Sequence, residues 1–384
     1  MENLIKQFDI KGNIVSINKY GNGHINKTFL VKTTEDTYIF QFINNNVFNN
    51  VNMLMHNIDL VTTHLLSKGS KTLEIVKTKD GRLYTKYGND YFRGYKYIDN
   101  SVCYEKLPSL EMVTEAAKGF GKFHSDLSDI DISQIGDVIP DFHNTAKRYE
   151  VFKSIVQKDP CKRKALCEDD VLFLMSRKSD YSLLVDALEK GKINKSITHN
   201  DPKINNVVFD EKTNKVSCVL DLDTVMTGTF LYDFGDALRS LFTGDNEDSM
   251  DTSKLVCNLD IYRAYLDGYF AKMKNVINDK EIELLPYSIL VITEELALRF
   301  LGDYINGDKY FGVDYPTHNL VRAKTQIALA KDIIKHLDDL KQITNEIVQK
   351  YKLTYRNWPI WEKVSQSGLI FLSYLMHFLY LIIK

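Results

Sequence analysis

The stretch ITHNDPKINNVVFDEKTNKVSCVLDLDTV, residues 197–225, decides how the whole chain is interpreted. It offers a histidine, an aspartate and an asparagine near its start, His199, Asp201 and Asn206, and a further aspartate, Asp221, near its end. Two apolar runs enclose the polar turn EKTNK, a pattern that predicts a β-hairpin. Such a hairpin would return the Asp221 carboxylate to the side of the Asn206 amide.

This layout is typical of phosphoryl transfer. His199, Asp201 and Asn206 fit the H-x-D-x-x-x-x-N spacing of a protein-kinase catalytic loop residue for residue, and Asp221 takes the place of the downstream metal aspartate. The alternative is a solvated hairpin whose acids are incidental, since short patterns recur by chance. The hairpin pattern around these residues favours the catalytic interpretation.

The composition is that of a globular protein with two domains or lobes. With 384 residues, of which 44% are hydrophobic and 26% charged, the chain can bury a substantial core. Its formal net charge of −2 gives no support for a nucleic-acid partner, because binding a phosphate backbone usually requires a basic face. The five cysteines lack CxxC spacing, so reduced thiols are expected. The N-terminus shows no secretory signal, so a cytoplasmic location is expected.

A glycine-bearing turn, GNGHINK, separates two strand-like runs near the N-terminus. Gly21 and Gly23 would let backbone amides approach a phosphate closely, which is typical of a nucleotide-covering loop. Asn26 stands where the third glycine of G-x-G-x-x-G would be. A plain hairpin is the alternative for this turn when it is taken alone.

The next segments follow the order of a kinase small lobe. TYIFQFI, residues 37–43, predicts a third strand, and the apolar period of residues 51–67 predicts a helix. Protein kinases pair a strand lysine with a helix glutamate to position the phosphates, whereas this chain offers Phe42 and His56 near those places. The cation that would replace the lysine is left open among Lys32, Lys86 and Arg93.

Two further strands are predicted between residues 73 and 97. The second, YFRGYKYID, ends where a two-lobed kinase has its hinge, whose backbone contacts adenine. Tyr97 and Asp99 are therefore candidate nucleotide-binding residues, although tyrosine is also an ordinary strand residue.

The chain beyond residue 107 is predicted to be mainly helical, with helices over residues 109–127, 257–275, 281–304 and 319–341. The letters DFG at residues 233–235 match a kinase metal motif, but Asp233 follows a turn and opens a helix. Capping and bracing of the catalytic loop is therefore predicted for Asp233. Charged groups at helical spacing usually form solvated ion pairs, and this is expected of Glu294, Glu295, Arg299 and Asp303.

The C-terminal run GLIFLSYLMHFLYLII, residues 368–383, is apolar nearly all round. It is shorter than the roughly 18 residues expected of a membrane-spanning helix. A docked or self-associating terminal helix is expected, and a membrane anchor is the alternative.

Together these segments resemble the aminoglycoside phosphotransferase and choline kinase superfamily, and within it most of all the N-acetylhexosamine 1-kinases. The strings that carry the resemblance cover nearly the whole chain to about residue 358: GNGHINKTF, QFINNNVF, FRGYKYID, IPDFHNTAKRY, HNDPKINN, LDLDTVMTG, LYDFGDALR and LALRFLGDYINGDKYF. The resemblance implies an α+β, two-lobed protein-kinase-like fold with a small β-rich N-terminal lobe and a large, mainly helical C-terminal lobe. The expected divisions are residues 1–100, 101–360 and an apolar extension, 361–384.

The resemblance also implies the reaction and its residues. ATP and Mg²⁺ would be the cofactors, and the anomeric hydroxyl of an N-acetylhexosamine would be the phosphoryl acceptor. Asp201 would be the catalytic base, with Asn206 and Asp221 as the magnesium ligands. The nucleotide would contact Gly21, Gly23, Asn26, Gln41, Tyr97 and Asp99. The sugar would contact Asp223, Arg299, His143 and Arg148.

Two alternatives stay open at this point. The catalytic loop would serve equally for another small hydroxylated acceptor, such as choline, an amino alcohol, another sugar or an aminoglycoside. The missing lysine and glutamate would also suit a nucleotide-binding pseudokinase, although the complete catalytic set argues against it.

Overall fold

The computed structural model describes residues 1–21, 26–244 and 247–356. Its strands are β1 (Ile14–Lys19), β2 (Lys27–Thr33), β3 (Thr37–Ile43), β4 (Ile75–Val76), β5 (Thr85–Tyr87), β6 (Asp90–Lys96), β7 (Ser101–Val102), β8 (Ser196–Thr198), β9 (Val207–Asp210), β10 (Val216–Val219) and β11 (Met226–Gly228). Its helices are α1 (Glu2–Ile5), α2 (Val51–Ser67), α3 (Leu110–Leu127), α4 (Thr145–Lys158), α5 (Glu168–Ser176), α6 (Lys178–Tyr181), α7 (Leu183–Glu189), α8 (Phe230–Thr243), α9 (Leu259–Met273), α10 (Asp279–Ile305), α11 (His318–Lys335) and α12 (Leu337–Arg356). The predicted apolar helix at 368–383 and the predicted phosphate contact Gly23 lie outside the described residues.

An antiparallel sheet forms the small N-terminal lobe. Its strand order is β1-β2-β3-β6-β4, and β5 also pairs with β6. The register places Gln41 of β3 opposite Thr28 of β2 and opposite Arg93 of β6. Because residues directly opposite each other share one face of a sheet, these three side chains form a row across the lobe.

Helix α2 connects the small lobe to the large one. Its apolar residues Leu54 and Ile58 belong to the same buried core as the helices of the large lobe. The buried Asn57 side chain donates from Nδ2 to the carbonyl oxygens of Gly136 at 2.7 Å and Val225 at 2.9 Å. The two lobes are therefore held together by packing and hydrogen bonds as well as by the chain itself.

The hairpin predicted from the opening stretch is confirmed. Strands β9 and β10 are antiparallel neighbours, with Val207 opposite Val219. The backbone N–H of Leu220 donates to the carbonyl oxygen of Asn206 at 2.7 Å, so β10 ends beside that asparagine. Strand β7 completes this sheet, and β8 pairs with β11.

Helix α10 runs through the large lobe, where α4, α8 and α11 pack against it. It begins with a capping box between Asn278 and Glu281. The expectation of solvated ion pairs along this helix is wrong for Glu294, Glu295 and Asp303, which are all buried. Their carboxylates instead accept hydrogen bonds from neighbouring elements, as buried charges require.

The last helix expected at 319–341 is two helices, α11 and α12. The backbone N–H of His336 closes α11 by bonding the carbonyl oxygens of Asp332 and Ile333, and the chain turns there. None of the helices in the described ranges combines the length and the apolarity that crossing a membrane would need.

Candidate active site

Strand β8 leads into the catalytic loop in the interior of the large lobe. Directly after it, Asn200 adopts a left-handed conformation with φ of +64°. The backbone N–H groups of His199 and Asn200 donate to the two carboxylate oxygens of Asp233 at 2.6 and 2.7 Å, and His124 Nε2 lies 2.7 Å from the same carboxylate. Burial alone would raise the pKa of Asp233, but these partners outweigh it and hold the pKa below its ordinary value. The predicted bracing role of Asp233 is confirmed, whereas its predicted capping role is wrong for α8, whose N-cap is Thr229.

The His199 ring ties the catalytic loop to the end of β10. Its Nε2 lies 2.7 Å from the Leu220 carbonyl oxygen, and the backbone N–H of Asp201 lies 3.3 Å from its Nδ1. Both contacts are satisfied when Nε2 carries the proton and Nδ1 accepts. The ring is fully buried against Phe120 and Phe123. His199 therefore has a structural task, because no part of it reaches the solvent of the cleft.

Asp201 lies between a lysine and the asparagine of the motif. Lys203 Nζ is 3.0 Å from Asp201 Oδ1. Asn206 Nδ2 donates to the Asp201 carbonyl oxygen at 2.8 Å and lies 3.5 Å from Oδ2. Because the amide nitrogen is turned toward Asp201, the Asn206 Oδ1 is left to accept a cation.

Lys203 is a site residue that sequence reasoning missed. It lines the same cavity as Asp201. Burial would lower the pKa of this lysine, but the Asp201 carboxylate outweighs that effect and raises it, so Lys203 stays charged. The signal in the sequence was its place on the catalytic loop, two residues after Asp201.

Asp221 is held at the end of β10 in a left-handed conformation, with φ of +58°. Its carboxylate is open to the cleft and has no hydrogen bond or ion pair with any residue that the structure describes. Desolvation by the surrounding protein, together with the charges of Asp223 and Asp201, raises its pKa to about 7. An unpaired carboxylate under this negative potential is suited to a divalent cation, which would relieve the repulsion.

The site offers magnesium only part of a ligand set, which is sufficient when a nucleotide supplies the other oxygens. In the described part of the chain, no three His, Cys, Asp or Glu side chains gather as a metal site. Kinase sites bind Mg²⁺ through one or two protein oxygens, and substrate phosphates and water complete the shell. The Asp221 carboxylate and the Asn206 amide oxygen fit that requirement.

Asp223 is buried and engaged by the small lobe. Its Oδ1 is 2.6 Å from Arg93 Nη1, and its Oδ2 accepts from Arg93 Nη2 at 2.8 Å and from Asn26 Nδ2 at 2.6 Å. Gln41 joins the same group, since its Oε1 accepts from Arg93 Nε and Nη2. Three residues predicted to contact substrate or nucleotide thus belong to one group: Arg93 joins Gln41 to Asp223, and Asn26 bonds Asp223 directly.

A cavity of about 290 Å³ opens beside Asp201 in the large lobe. Its walls combine charged groups with aromatic rings and come from the catalytic loop, α8, α10 and the segments around them. The lining residues used below are Asp201, Lys203, His143, Glu295, Arg299, Asp236, Arg239, Glu247, Phe142, Phe300 and Phe311.

His143 and Glu295 form a buried pair at this cavity. His143 Nδ1 is 3.1 Å from Glu295 Oε1, and the Thr145 hydroxyl donates to Oε2 at 2.9 Å. Burial alone would raise the pKa of Glu295, but His143, with Arg299 and Arg148 nearby, holds that pKa below its ordinary value. The other ring nitrogen of His143, Nε2, is buried without a hydrogen-bond partner among the described residues. A ligand hydroxyl could satisfy it.

Arg299 presents its guanidinium to the cavity between three rings, with centroids 5.7, 5.7 and 5.3 Å away in Phe142, Tyr310 and Phe311. Within the described residues it has no hydrogen bond or ion pair, so its donors are available to a ligand. Arg148, by contrast, is not part of the cavity lining and donates from Nη2 to the Phe142 carbonyl oxygen. Burial and the nearby Arg299 lower the pKa of Arg148.

The predicted nucleotide residues of the small lobe lie at its edge. Gly21 has a φ of +73°, which glycine adopts without strain. The Tyr97 backbone N–H donates to the Thr37 carbonyl oxygen at 3.0 Å. The Tyr97 ring packs edge-to-face against the Tyr20 ring, with 6.4 Å between the ring centroids. Asp99 is exposed.

Comparison with known proteins gives the family and the fold of this chain. The sequence model described as the phosphotransferase enzyme family matches residues 16–268. An aminoglycoside phosphotransferase from Alicyclobacillus acidocaldarius is 13% identical, with 90% of this chain and 96% of that chain covered and a TM-score of 0.61. Choline kinase from Cryptosporidium parvum is 14% identical, with 89% of this chain and 98% of that chain covered and a TM-score of 0.57. Spectinomycin phosphotransferase, solved with ADP and spectinomycin, is 14% identical, with 88% of this chain and 97% of that chain covered and a TM-score of 0.56. At these identities the structures demonstrate the fold alone, and the predicted two-lobed kinase-like fold is confirmed.

Proposed function

Because the chain belongs to the phosphotransferase enzyme family, we propose that it transfers the γ-phosphoryl group of ATP to the anomeric hydroxyl of an N-acetylhexosamine. The products are ADP and the sugar 1-phosphate. The observation that carries this proposal is the convergence of Asp201, Asn206 and Asp221 beside a small cavity that holds a free arginine. Asp201, Asn206 and Asp221 support the assignment of phosphoryl transfer, and the cavity supports the choice of a sugar as the acceptor.

The residues divide the chemical work as follows. Asp201 orients the acceptor hydroxyl and takes its proton, and a carboxylate of ordinary basicity suffices because the transition state is loose. Asn206 and Asp221 hold magnesium, which when bound neutralises charge on the β- and γ-phosphates. Lys203 balances the charge of Asp201 in the resting enzyme. Catalysis is therefore mainly positioning and charge balance.

The nucleotide is expected to lie under the glycine turn that contains Gly21 and against the hinge at Tyr97 and Asp99. Asn26 and Gln41 contribute indirectly, since both are committed to the group around Arg93.

The size and chemistry of the cavity favour a monosaccharide. At about 290 Å³ it lies at the small end of ligand pockets, which span roughly 300–1,000 Å³. Arg299 and His143 Nε2 offer a donor and a free ring nitrogen for sugar hydroxyls or an acetamido group, while the Phe142 and Phe311 rings can cover a sugar face. A multi-ring aminoglycoside would need more room. Arg148 lies behind this wall and supports Glu295 through its charge.

The charges of the cavity disfavour a cationic acceptor. Arg239 bridges Asp236 at 2.7 Å and Glu247 at 3.0 Å, so each of these carboxylates already has a cationic partner. Glu295 is bound to His143. No lining carboxylate described here is therefore free to bind an ammonium group, because even Asp201 has Lys203 beside it. This supports a neutral sugar over choline or an amino alcohol.

The proposal is tested by coupled ADP release over a panel of N-acetylhexosamines, other sugars, choline, amino alcohols and aminoglycosides. Phosphorus NMR then locates the new phosphate. Turnover with N-acetylglucosamine or N-acetylgalactosamine and a 1-phosphate product is expected. A 6-phosphate product would overturn the anomeric assignment, and activity confined to amines would overturn the sugar assignment. Binding of ATP without turnover for every acceptor would support the pseudokinase alternative.

A further inference from the structure

The small lobe has three candidates for the cation that replaces the kinase lysine, and their environments differ. Lys32 and Lys86 are exposed, and the Lys86 ammonium lies over the Tyr91 ring. Arg93, in contrast, is only 2% exposed and faces the large lobe across the cleft. Only Arg93 of these three contacts a residue of the stretch 197–225.

The hydrogen bonds of Arg93 leave it no donor for a phosphate. An arginine has five N–H groups. Nε and one Nη2 hydrogen go to Gln41 Oε1 at 3.0 and 2.8 Å, and the other Nη2 hydrogen goes to Asp223 Oδ2 at 2.8 Å. Nη1 lies 2.6 Å from Asp223 Oδ1 and 3.8 Å from the Met55 sulfur. Arg93 therefore cannot hold a phosphate as the kinase lysine does unless this group is broken.

The partner of Arg93 lies two residues from the metal-binding carboxylate. Asp221 precedes the short 3₁₀ turn of residues 222–224, and Asp223 lies within that turn. The Arg93 guanidinium fixes the Asp223 carboxylate in two places, and so restrains the backbone that carries Asp221. It also neutralises Asp223, which leaves Asp221 as the carboxylate that is free to bind a cation.

The row of side chains across the sheet extends this restraint into the small lobe. Gln41 donates from Nε2 to the Thr28 hydroxyl at 3.0 Å, so its carbonyl oxygen is held toward Arg93. Asn26, at the end of the glycine turn, donates to Asp223 and accepts from the Asn44 backbone N–H at 3.0 Å. Asn26, strand β3 and the loop that carries Asp221 thus meet at the buried ion pair of Arg93 and Asp223.

We propose that Arg93 is the positioning residue of this site: its ion pair with Asp223 fixes the small lobe on the loop of Asp221 and sets that carboxylate for magnesium. In this chain the small-lobe cation acts on the loop of Asp221 and Asp223 instead of on a phosphate. This inference rests on the proposed function only in taking Asp221 as a metal ligand. Asp223 accordingly serves Arg93 and does not contact the sugar in this arrangement.

The test compares Arg93→Met and Arg93→Lys with a matched control, Arg82→Met. Arg82 also pairs with an aspartate of the small lobe, Asp80, at 2.8 Å, but both side chains are exposed. The first readout is Mg²⁺ affinity at a fixed saturating concentration of ADP, measured by calorimetry without any acceptor. The second is kcat and the acceptor KM, and the third is the melting temperature.

Residues that orient a metal ligand typically contribute about 10–100-fold to metal affinity. We expect Arg93→Met to weaken Mg²⁺ binding by about that factor and to lower kcat, while the acceptor KM is unchanged. Arg93→Lys recovers part of the loss because it keeps the charge but not the two-point geometry. Arg82→Met behaves like the wild type in all three readouts. Wild-type Mg²⁺ affinity in a folded Arg93→Met protein would overturn the proposal.

Arg93→Met can fail to fold, because it leaves Asp223 buried without a partner. The double variant Arg93→Met/Asp223→Leu removes both charges and avoids that cost. It is expected to fold and still to bind Mg²⁺ weakly, whereas wild-type affinity in this variant would overturn the inference. The acceptor question is separate: loss of Mg²⁺ affinity in a protein inactive on every sugar would support the role of Arg93 and refute the proposed acceptor.

Discussion

The carboxylate of Asp233 accepts a 2.6 Å hydrogen bond from the backbone N–H of His199, and this contact joins helix α8 to the catalytic loop. We expect Asp233→Ala to lower the free energy of unfolding by about 3 kcal/mol or more, because it leaves several buried donors without an acceptor. Urea unfolding measures the loss. Asp131→Ala, which removes an exposed cap, should cost only about 1 kcal/mol. Equal stabilities of the two variants would contradict the bracing role.

Asp201→Asn should abolish measurable turnover while ADP binding is kept. The substitution preserves the shape of the side chain but removes its ability to take a proton, a contribution of about 10²–10⁴-fold. A coupled assay of ADP release measures kcat, and calorimetry measures ADP binding. Glu150→Gln, on the exposed face of α4, is the control and should leave both unchanged. Wild-type kcat in Asp201→Asn would refute the assignment of the base.

Arg299→Met should impair acceptor binding selectively. A hydrogen bond from a charged donor contributes about 1.5–3 kcal/mol, which corresponds to a loss of roughly 10–100-fold in kcat/KM for the acceptor. The KM for ATP should not change, since Arg299 lies in the large-lobe cavity. Arg263→Met, which removes an exposed arginine of α9, serves as the control. An equal rise in both KM values would argue against a direct acceptor contact.

Glu294 should make stability fall as the pH rises. Burial, together with the charge of Asp180, raises its pKa to about 8, although Arg177 lies 3.0 Å away. Between about pH 4.5 and 8 the folded state keeps a proton that the unfolded state releases, so folding is favoured at the acidic end of this window. The contribution is at most about 1.4 kcal/mol per pH unit.

Glu294→Gln should remove this slope, because the amide cannot ionise and can still accept from Arg177. Denaturant unfolding between pH 5 and 8 gives the comparison. Glu283→Gln, on the exposed side of the same helix, should keep the wild-type slope. A slope in Glu294→Gln equal to that of the wild type would show that other groups produce it.

Much of this protein was determined by local sequence. The bounds of β3 and α2 follow from periods of two and 3.6 residues, and the hairpin follows from two apolar runs around a polar turn. The spacing from Asp201 to Asn206 predicts that the two residues share one short loop, and the structure places Asn206 Nδ2 at 3.5 Å from Asp201 Oδ2. The sequence also placed Asp221 at the end of the returning strand and Asp233 in a helix, and the structure has both positions.

Tertiary structure alone decided which groups pair across the fold. Arg93 and Asp223 are 130 positions apart, and Asn26 and Asp223 are 197 apart, so no local pattern could show that they meet. Helical spacing predicted solvated charges on α10, but the packing of other helices around it buried Glu294 and Glu295. A sequence lists the charges that a chain carries, whereas burial and partners set their pKa values and tasks, and those depend on contacts between distant residues.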